Sequence, residues 1–181
     1  MREVVNWEVL WMTLAFQVSQ RSKDPSTRHG CILVDDNNKL ISMGYNSFPR
    51  DCLDETMPTT RPEKYKVMIH SEINAIANAT DRRELVGATA YITGHPCPQC
   101  FGAMVNAGIS SIICGPVGSN CIAQEDVDVI HQMNISATTL KNKIRITKFE
   151  SWAKIENIYD FLDITKKYIE ERVKRTDLFN G

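Results

Sequence analysis

Residues 88–114 read ATAYITGHPCPQCFGAMVNAGISSIIC. The run from Ala88 to Thr93 is apolar and rich in strand formers, which predicts a strand. Pro98 suits the first turn of a helix, which is expected to continue to about Asn106, and Gly108 suits its C-terminal stop. Ser110 to Cys114 predict a second strand. A strand, a helix and another strand in this order form a crossover unit whose sheet is covered by helices on both faces.

Upstream, the spacing predicts a helix from about Ile69 to Ala79. Before it lies a hairpin: Cys31 to Val34, a turn at Asp35-Asp36-Asn37-Asn38, and Leu40 to Tyr45. Asn6 caps a further helix whose apolar face is Trp7, Leu10, Trp11, Leu14, Ala15 and Val18. Downstream, residues 124–133 read as helix and Ile144 to Phe149 as strand, with Gly115, Pro116 and Gly118 marking an irregular stretch between. Residues 22–29 and 46–64 are polar and carry prolines, so they are loops, the second long enough to suggest a functional one. The predicted fold is α/β: a three-layer α/β/α sandwich around a central mixed five-stranded sheet. Residues 1–181 form one domain, with 151–181 a C-terminal helical extension that adds to the core or makes a subunit contact.

Composition narrows the functional classes. A chain of 181 residues, 43% apolar and 24% charged, is sized for one domain with a substantial core. A net charge of −1 argues against a broad nucleic-acid face. No apolar run approaches the roughly 18 residues of a membrane span, and the N-terminal apolar residues are too interrupted for a signal peptide. Six cysteines without a secretory signal point to a reducing, cytoplasmic setting, where CxxC means metal or redox chemistry more often than a disulfide. Cys31, Cys52, Cys114 and Cys121 lack ligand-like spacing and read as buried or incidental thiols.

The chemistry concentrates in His70-Ser71-Glu72 and Pro96-Cys97-Pro98-Gln99-Cys100. Zn²⁺ takes nitrogen and sulfur ligands tetrahedrally, and a catalytic site leaves its fourth position to water. His70, Cys97 and Cys100 supply three ligands, which frees Glu72 to move protons. Cys97 and Cys100 both lie at a predicted helix start, whose dipole favours the metal-binding thiolates. The two helix starts are expected to meet at the C-terminal edge of the sheet. Two rivals use the same residues. CxxC at a strand–helix junction also describes a thioredoxin-like redox pair, against which His70 and Glu72 stand. His95 could complete a closed structural zinc site, but the second cysteine pair of such a site is missing; His95 reads as pocket wall.

H-x-E…P-C-x-x-C is the established signature of zinc nucleobase deaminases. Over roughly residues 7–150 the chain resembles the deoxycytidylate (dCMP) deaminases of the cytidine/deoxycytidylate deaminase superfamily. The matching stretches are Arg21-Ser22-Lys23-Asp24-Pro25, Gly44-Tyr45-Asn46 with Pro49, His70 through Ile76, and Pro96 through Cys100. The resemblance implies a cytidine deaminase-like fold and hydrolysis of dCMP to dUMP and ammonia, supplying dUMP for thymidylate synthesis. It implies Zn²⁺ on His70, Cys97 and Cys100, with Glu72 as the catalytic proton carrier. Asn46, Asn74 and Lys23 are the implied substrate-binding residues, Asn46 on the sugar. Also implied are activation by dCTP and inhibition by dTTP near Gly44, Tyr45 and Ser47, with Mg²⁺ accompanying the triphosphate, and a homo-oligomer, a hexamer being favoured. Arg21, Lys23, Arg50, Arg82 and Arg83 are candidates for the substrate phosphate.

The chain departs from the family at several points. Ser71 replaces the usual Ala, a change expected to have little effect. Ser47 stands where Gly is common, and Arg28-His29-Gly30-Cys31 replaces a more usual Val-Gly-Ala. Residues 115–123 lack the usual nucleotide-contacting Tyr. The alternatives are a deaminase of another cytosine nucleotide or nucleoside, of guanine or of a tRNA adenosine, or a non-catalytic zinc-binding module.

Overall fold

The structure is a computed structural model, and it describes residues 4–117, 123–136 and 145–148. Helix α1 spans Trp7–Ser19, and the Asn6 side chain caps it by accepting from the Glu8 N–H at 2.9 Å. Strand β1 (Gly30–Val34) turns into β2 (Leu40–Tyr45) through Asp35, whose carboxylate accepts from the N–H groups of Asn37 and Lys39. Then follow α2 (Ser71–Asn78), β3 (Thr89–Gly94), α3 (Pro98–Ala107), β4 (Ser111–Val117), α4 (Gln124–Ser136) and β5 (Arg145–Lys148).

The five strands form one mixed sheet in the order β2-β1-β3-β4-β5. β1 is antiparallel to both of its neighbours, whereas β3, β4 and β5 are mutually parallel. β2, β3, β4 and β5 therefore run one way and β1 the other. The C-terminal ends of β2 and β3 and the N-terminal end of β1 fall at one edge, and the site lies there.

One face of the sheet carries Cys31, Leu33, Ala90, Ile92, Ile112 and Cys114, packed with Ala75 of α2, Phe101 and Met104 of α3 and Ile130 of α4. The alternate residues of β1 face α1, where Trp11, Met12 and Ala15 are buried. Gly108 closes α3 at φ 87°, the left-handed conformation that suits glycine. These layers are the α/β/α sandwich expected from the sequence.

Several details differ from expectation. α2 starts at Ser71 instead of Ile69, because Ile69 forms an isolated antiparallel bridge with Ser47. The Ser47 N–H donates to the Ile69 carbonyl at 3.0 Å and the reverse bond is 2.8 Å, so the bridge ties the two ends of the long loop together. That loop is also not featureless: single 3₁₀ turns occupy Asp54–Thr56 and Glu63–Lys66. Strand β4 runs through Gly115 and Pro116 to Val117, although those residues predict a break. Cys114 pairs with Ile92 and Val117 with Gly94, so β4 carries one extra residue there. Such a bulge accommodates a proline that cannot donate to the ladder. The expectation of a helical extension over residues 151–181 lies outside the described residues.

Candidate metal centre and cavity

His70 occupies the N-cap of α2 and Cys97 the N-cap of α3, both with extended backbone. Pro98 begins α3, and Cys100 is its third residue, turned back to the same point as Cys97. The His70 Nδ1 lies 3.5 Å from the Cys97 Sγ and 3.4 Å from the Cys100 Sγ. All three donor atoms lie within 4.8 Å of one another. Tetrahedral zinc, with bonds of about 2.3 Å to sulfur and about 2.0 Å to nitrogen, needs nitrogen and sulfur about 3.5 Å apart, so the donor set fits the ion.

Electrostatics agree. The Cys97 thiol is pushed down to about 4, first by its hydrogen bond with Cys100, with His70 lowering it further. The Cys100 thiol is raised by its hydrogen bond with Cys97 and by burial. His70 is raised, chiefly by its hydrogen bond with Cys97. A cation placed among them would take up both sulfurs as thiolates.

Glu72 is 4% exposed and lines the same cavity as His70 and Cys97. Burial pushes its carboxyl above the ordinary value. The Ser71 hydroxyl donates to the Glu72 carboxylate at 2.8 Å, so serine at this position adds a donor where alanine has none. His95 lines this cavity and stands outside the three-donor cluster.

The cavity, about 180 Å³, is closed by groups far apart in sequence. Asn46 lines it, but its amide is already engaged: Oδ1 accepts from the His29 N–H at 2.7 Å, and Nδ2 donates to the Thr27 carbonyl at 3.0 Å. His29 forms another part of the wall, its Nδ1 3.3 Å from the Thr93 hydroxyl, and burial lowers its pKa. Lys64, Arg61 and Tyr65 come from the second half of the long loop. Sequence reading missed all three, because a charged loop without periodicity looks solvated. The length of the loop was the one available signal.

A second cavity, about 340 Å³, collects other expected residues: Lys23, Tyr45, Ser47, Asn74, Arg21 and Arg50. Asn74 and Lys23 thus lie on this side and not on the zinc-ligand side. Lys23 is paired with Asp54, and Asn74 donates to the Tyr45 carbonyl and the Ser47 hydroxyl. Ser47 is not among the residues with positive φ, so serine replaces glycine there without backbone strain. Gly44 serves packing: an added Cβ would sit 2.3 Å from the Ser71 carbonyl oxygen and 2.4 Å from the Ala75 nitrogen. Asp24 and Met68 line both cavities and form their common wall. Arg82 and Arg83 line neither, and Arg83 pairs with Asp81.

Residues 5–116, over half of the chain, match the cytidine and deoxycytidylate deaminase zinc-binding region. The deoxycytidylate deaminase of Mus musculus is 34% identical over 117 residues, a match covering 61% of this chain and 65% of that protein. The chain therefore spans just under two thirds of that relative's length. The dCMP deaminase of cyanophage S-TIM5 in apo form superposes with a TM-score of 0.58 at 21% identity, covering 78% of this chain and 96% of the other. Its complex with dCMP and dUMP gives 0.58 at 20% identity, covering 82% and 100%. At such identity these superpositions speak for the fold. With Glu72 sharing a cavity with His70 and Cys97 of the three-donor cluster, and the sequence match extending over all of them, the chain belongs to the cytidine and deoxycytidylate deaminase zinc-binding family.

Proposed function

We propose that the protein is a zinc-dependent deaminase that hydrolyses dCMP to dUMP and ammonia. The observation that carries this reading is a buried carboxylate, Glu72, sharing a cavity with His70 and Cys97 of the metal-type cluster. The dCMP substrate is favoured by the likeness to deoxycytidylate deaminases, one of them solved with dCMP and dUMP.

His70, Cys97 and Cys100 would hold the metal. A bound zinc ion supplies a water acidic enough to act as nucleophile near neutral pH. Glu72 accepts the proton of that water and passes it to the pyrimidine N3. As the C4–O bond forms and the C4–N bond breaks, Glu72 protonates the departing amino group, which leaves as ammonia. Ser71 orients the carboxylate by donating to it. Asn46 contributes to the sugar end of the cavity and holds the 24–29 loop in place.

Regulation by dCTP and dTTP is part of the proposal. Its support is the second cavity, where Arg21, Lys23 and Arg50 supply positive charge beside Tyr45 and Ser47, and Asp51 supplies a carboxylate suited to Mg²⁺. A homo-oligomer, a hexamer by resemblance, would be read directly by light scattering.

The test is ammonia release by the zinc-loaded protein on dCMP, dCTP, deoxycytidine and CMP, each with and without dCTP or dTTP. dCMP is expected to be the best substrate. Glu72→Ala is expected to lose at least about 10³-fold in turnover while retaining zinc. Absence of turnover on every cytosine substrate, or an active Glu72→Ala protein, would sink the reading.

A further inference from the structure

Two positively charged side chains of the long loop, Lys64 and Arg61, line the zinc-ligand cavity. Lys64 is committed, with its ammonium 2.7 and 2.8 Å from the two carboxylate oxygens of Asp24. Arg61 is exposed and makes no ion pair with a carboxylate among the described residues. Its guanidinium carbon lies 5.5 Å from the centre of the Tyr65 ring. A cation–π neighbour uses none of the guanidinium's N–H donors as an ion pair would, and the planar fork of those donors matches the oxygens of a phosphate.

Among the described residues, no other lysine or arginine lines this cavity. Arg21, Lys23 and Arg50 line the second cavity, and Arg82 and Arg83 line neither. A nucleotide whose base faces Glu72 must carry its phosphate towards the mouth of the same cavity. We propose that Arg61 binds the 5′-phosphate of the substrate there and so selects a nucleoside monophosphate over a nucleoside. The proposal rests on the deaminase reading above and names the residue that sets its substrate class.

The experiment compares the zinc-loaded wild type with Arg61→Gln and Arg61→Lys. kcat and KM are measured on dCMP and deoxycytidine, and binding of dUMP and deoxyuridine is measured by calorimetry. Arg61→Gln is expected to lose about 10- to 100-fold in kcat/KM on dCMP, mostly through KM, as for a lost charge-assisted hydrogen bond. Its dUMP affinity should fall by a similar factor, while turnover of deoxycytidine and binding of deoxyuridine stay within about threefold of wild type. Arg61→Lys should fall between, since it keeps the charge without the fork. Unchanged zinc content in both variants marks the site as intact.

Arg61→Gln with dCMP kinetics and dUMP affinity within about threefold of wild type would overturn the proposal. So would equal losses on dCMP and deoxycytidine, the pattern of a merely structural residue. A wild type that deaminates nothing would instead overturn the deaminase reading, and the dUMP–deoxyuridine comparison would still decide the role of Arg61.

Discussion

Lys64 is 2% exposed, and Asp24, forty residues earlier in the chain, is 4% exposed. The Asp24 carboxylate also accepts from the Ser26 N–H and hydroxyl, both at 2.8 Å, and from the Thr27 N–H at 3.3 Å. Burial alone would raise its pKa, but the hydrogen bonds from Lys64, Ser26 and Thr27 outweigh it and leave the group lowered. A carboxyl held below its unfolded value of about 3.9 contributes stability above that pH and loses it as pH falls through the folded value. Lys64→Met leaves this carboxylate buried without its cation and is expected to destabilise the protein by about 3–5 kcal/mol at pH 7. Urea unfolding of both proteins measures the difference, which should shrink as pH drops below about 4. A difference that is small at pH 7, or that does not change with pH, would show the pair to be unimportant. None of this is legible in Arg61-Pro62-Glu63-Lys64-Tyr65-Lys66, where each charge looks solvated; burial of Lys64 depends on a partner brought by another loop.

At the scale of elements, the helix and strand periods were readable and the close approaches were not. Asn6 as a cap, the turn after β1, Pro98 at the start of α3 and Gly108 at its end all act where expected, because each works through its own neighbours. Gly44 is different. It reads as part of a Gly-Tyr-Asn turn beside an effector, but it lies on β2 directly beneath the backbone of α2. Gly44→Ala is expected to push α2 away from the sheet, destabilise the fold by about 1–3 kcal/mol and weaken zinc binding through His70. Thermal melting and a zinc titration check this. An unchanged melting temperature and zinc affinity, with only the dTTP response altered, would favour the effector role instead. Ile69 leaves its predicted helix and Pro116 joins a strand where a break is expected for a related reason: a bridge to Ser47 and a bulge opposite β3 decide them, and both involve residues distant along the chain.

At the scale of the molecule, the metal cluster joins two helix starts, with His70 on α2 and Cys97 and Cys100 on α3. A ligand that binds only the folded chain stabilises it by about 2.7 kcal/mol at a hundredfold excess over its Kd. Chelating the zinc is therefore expected to lower the melting temperature by about 5–10 °C, and restoring Zn²⁺ to recover it. A melting curve indifferent to chelation would mean that the cluster does not hold metal under those conditions. Among the described residues no helix is long and apolar enough to cross a membrane. The α/β alternation is legible in the chain because side-chain periodicity is a local property, and His70, Glu72, Cys97 and Cys100 are legible as a signature met in the zinc deaminases. Tertiary structure alone decided that Asn46 and His29 share a wall with Glu72, and that Asn74 and Lys23 face a second cavity. It also decided that Lys64 is locked to Asp24 while Arg61 lines the zinc-ligand cavity without a carboxylate partner among the described residues. Cavities are enclosed by residues that the sheet order and the long loop bring together, and no spacing along the chain encodes that.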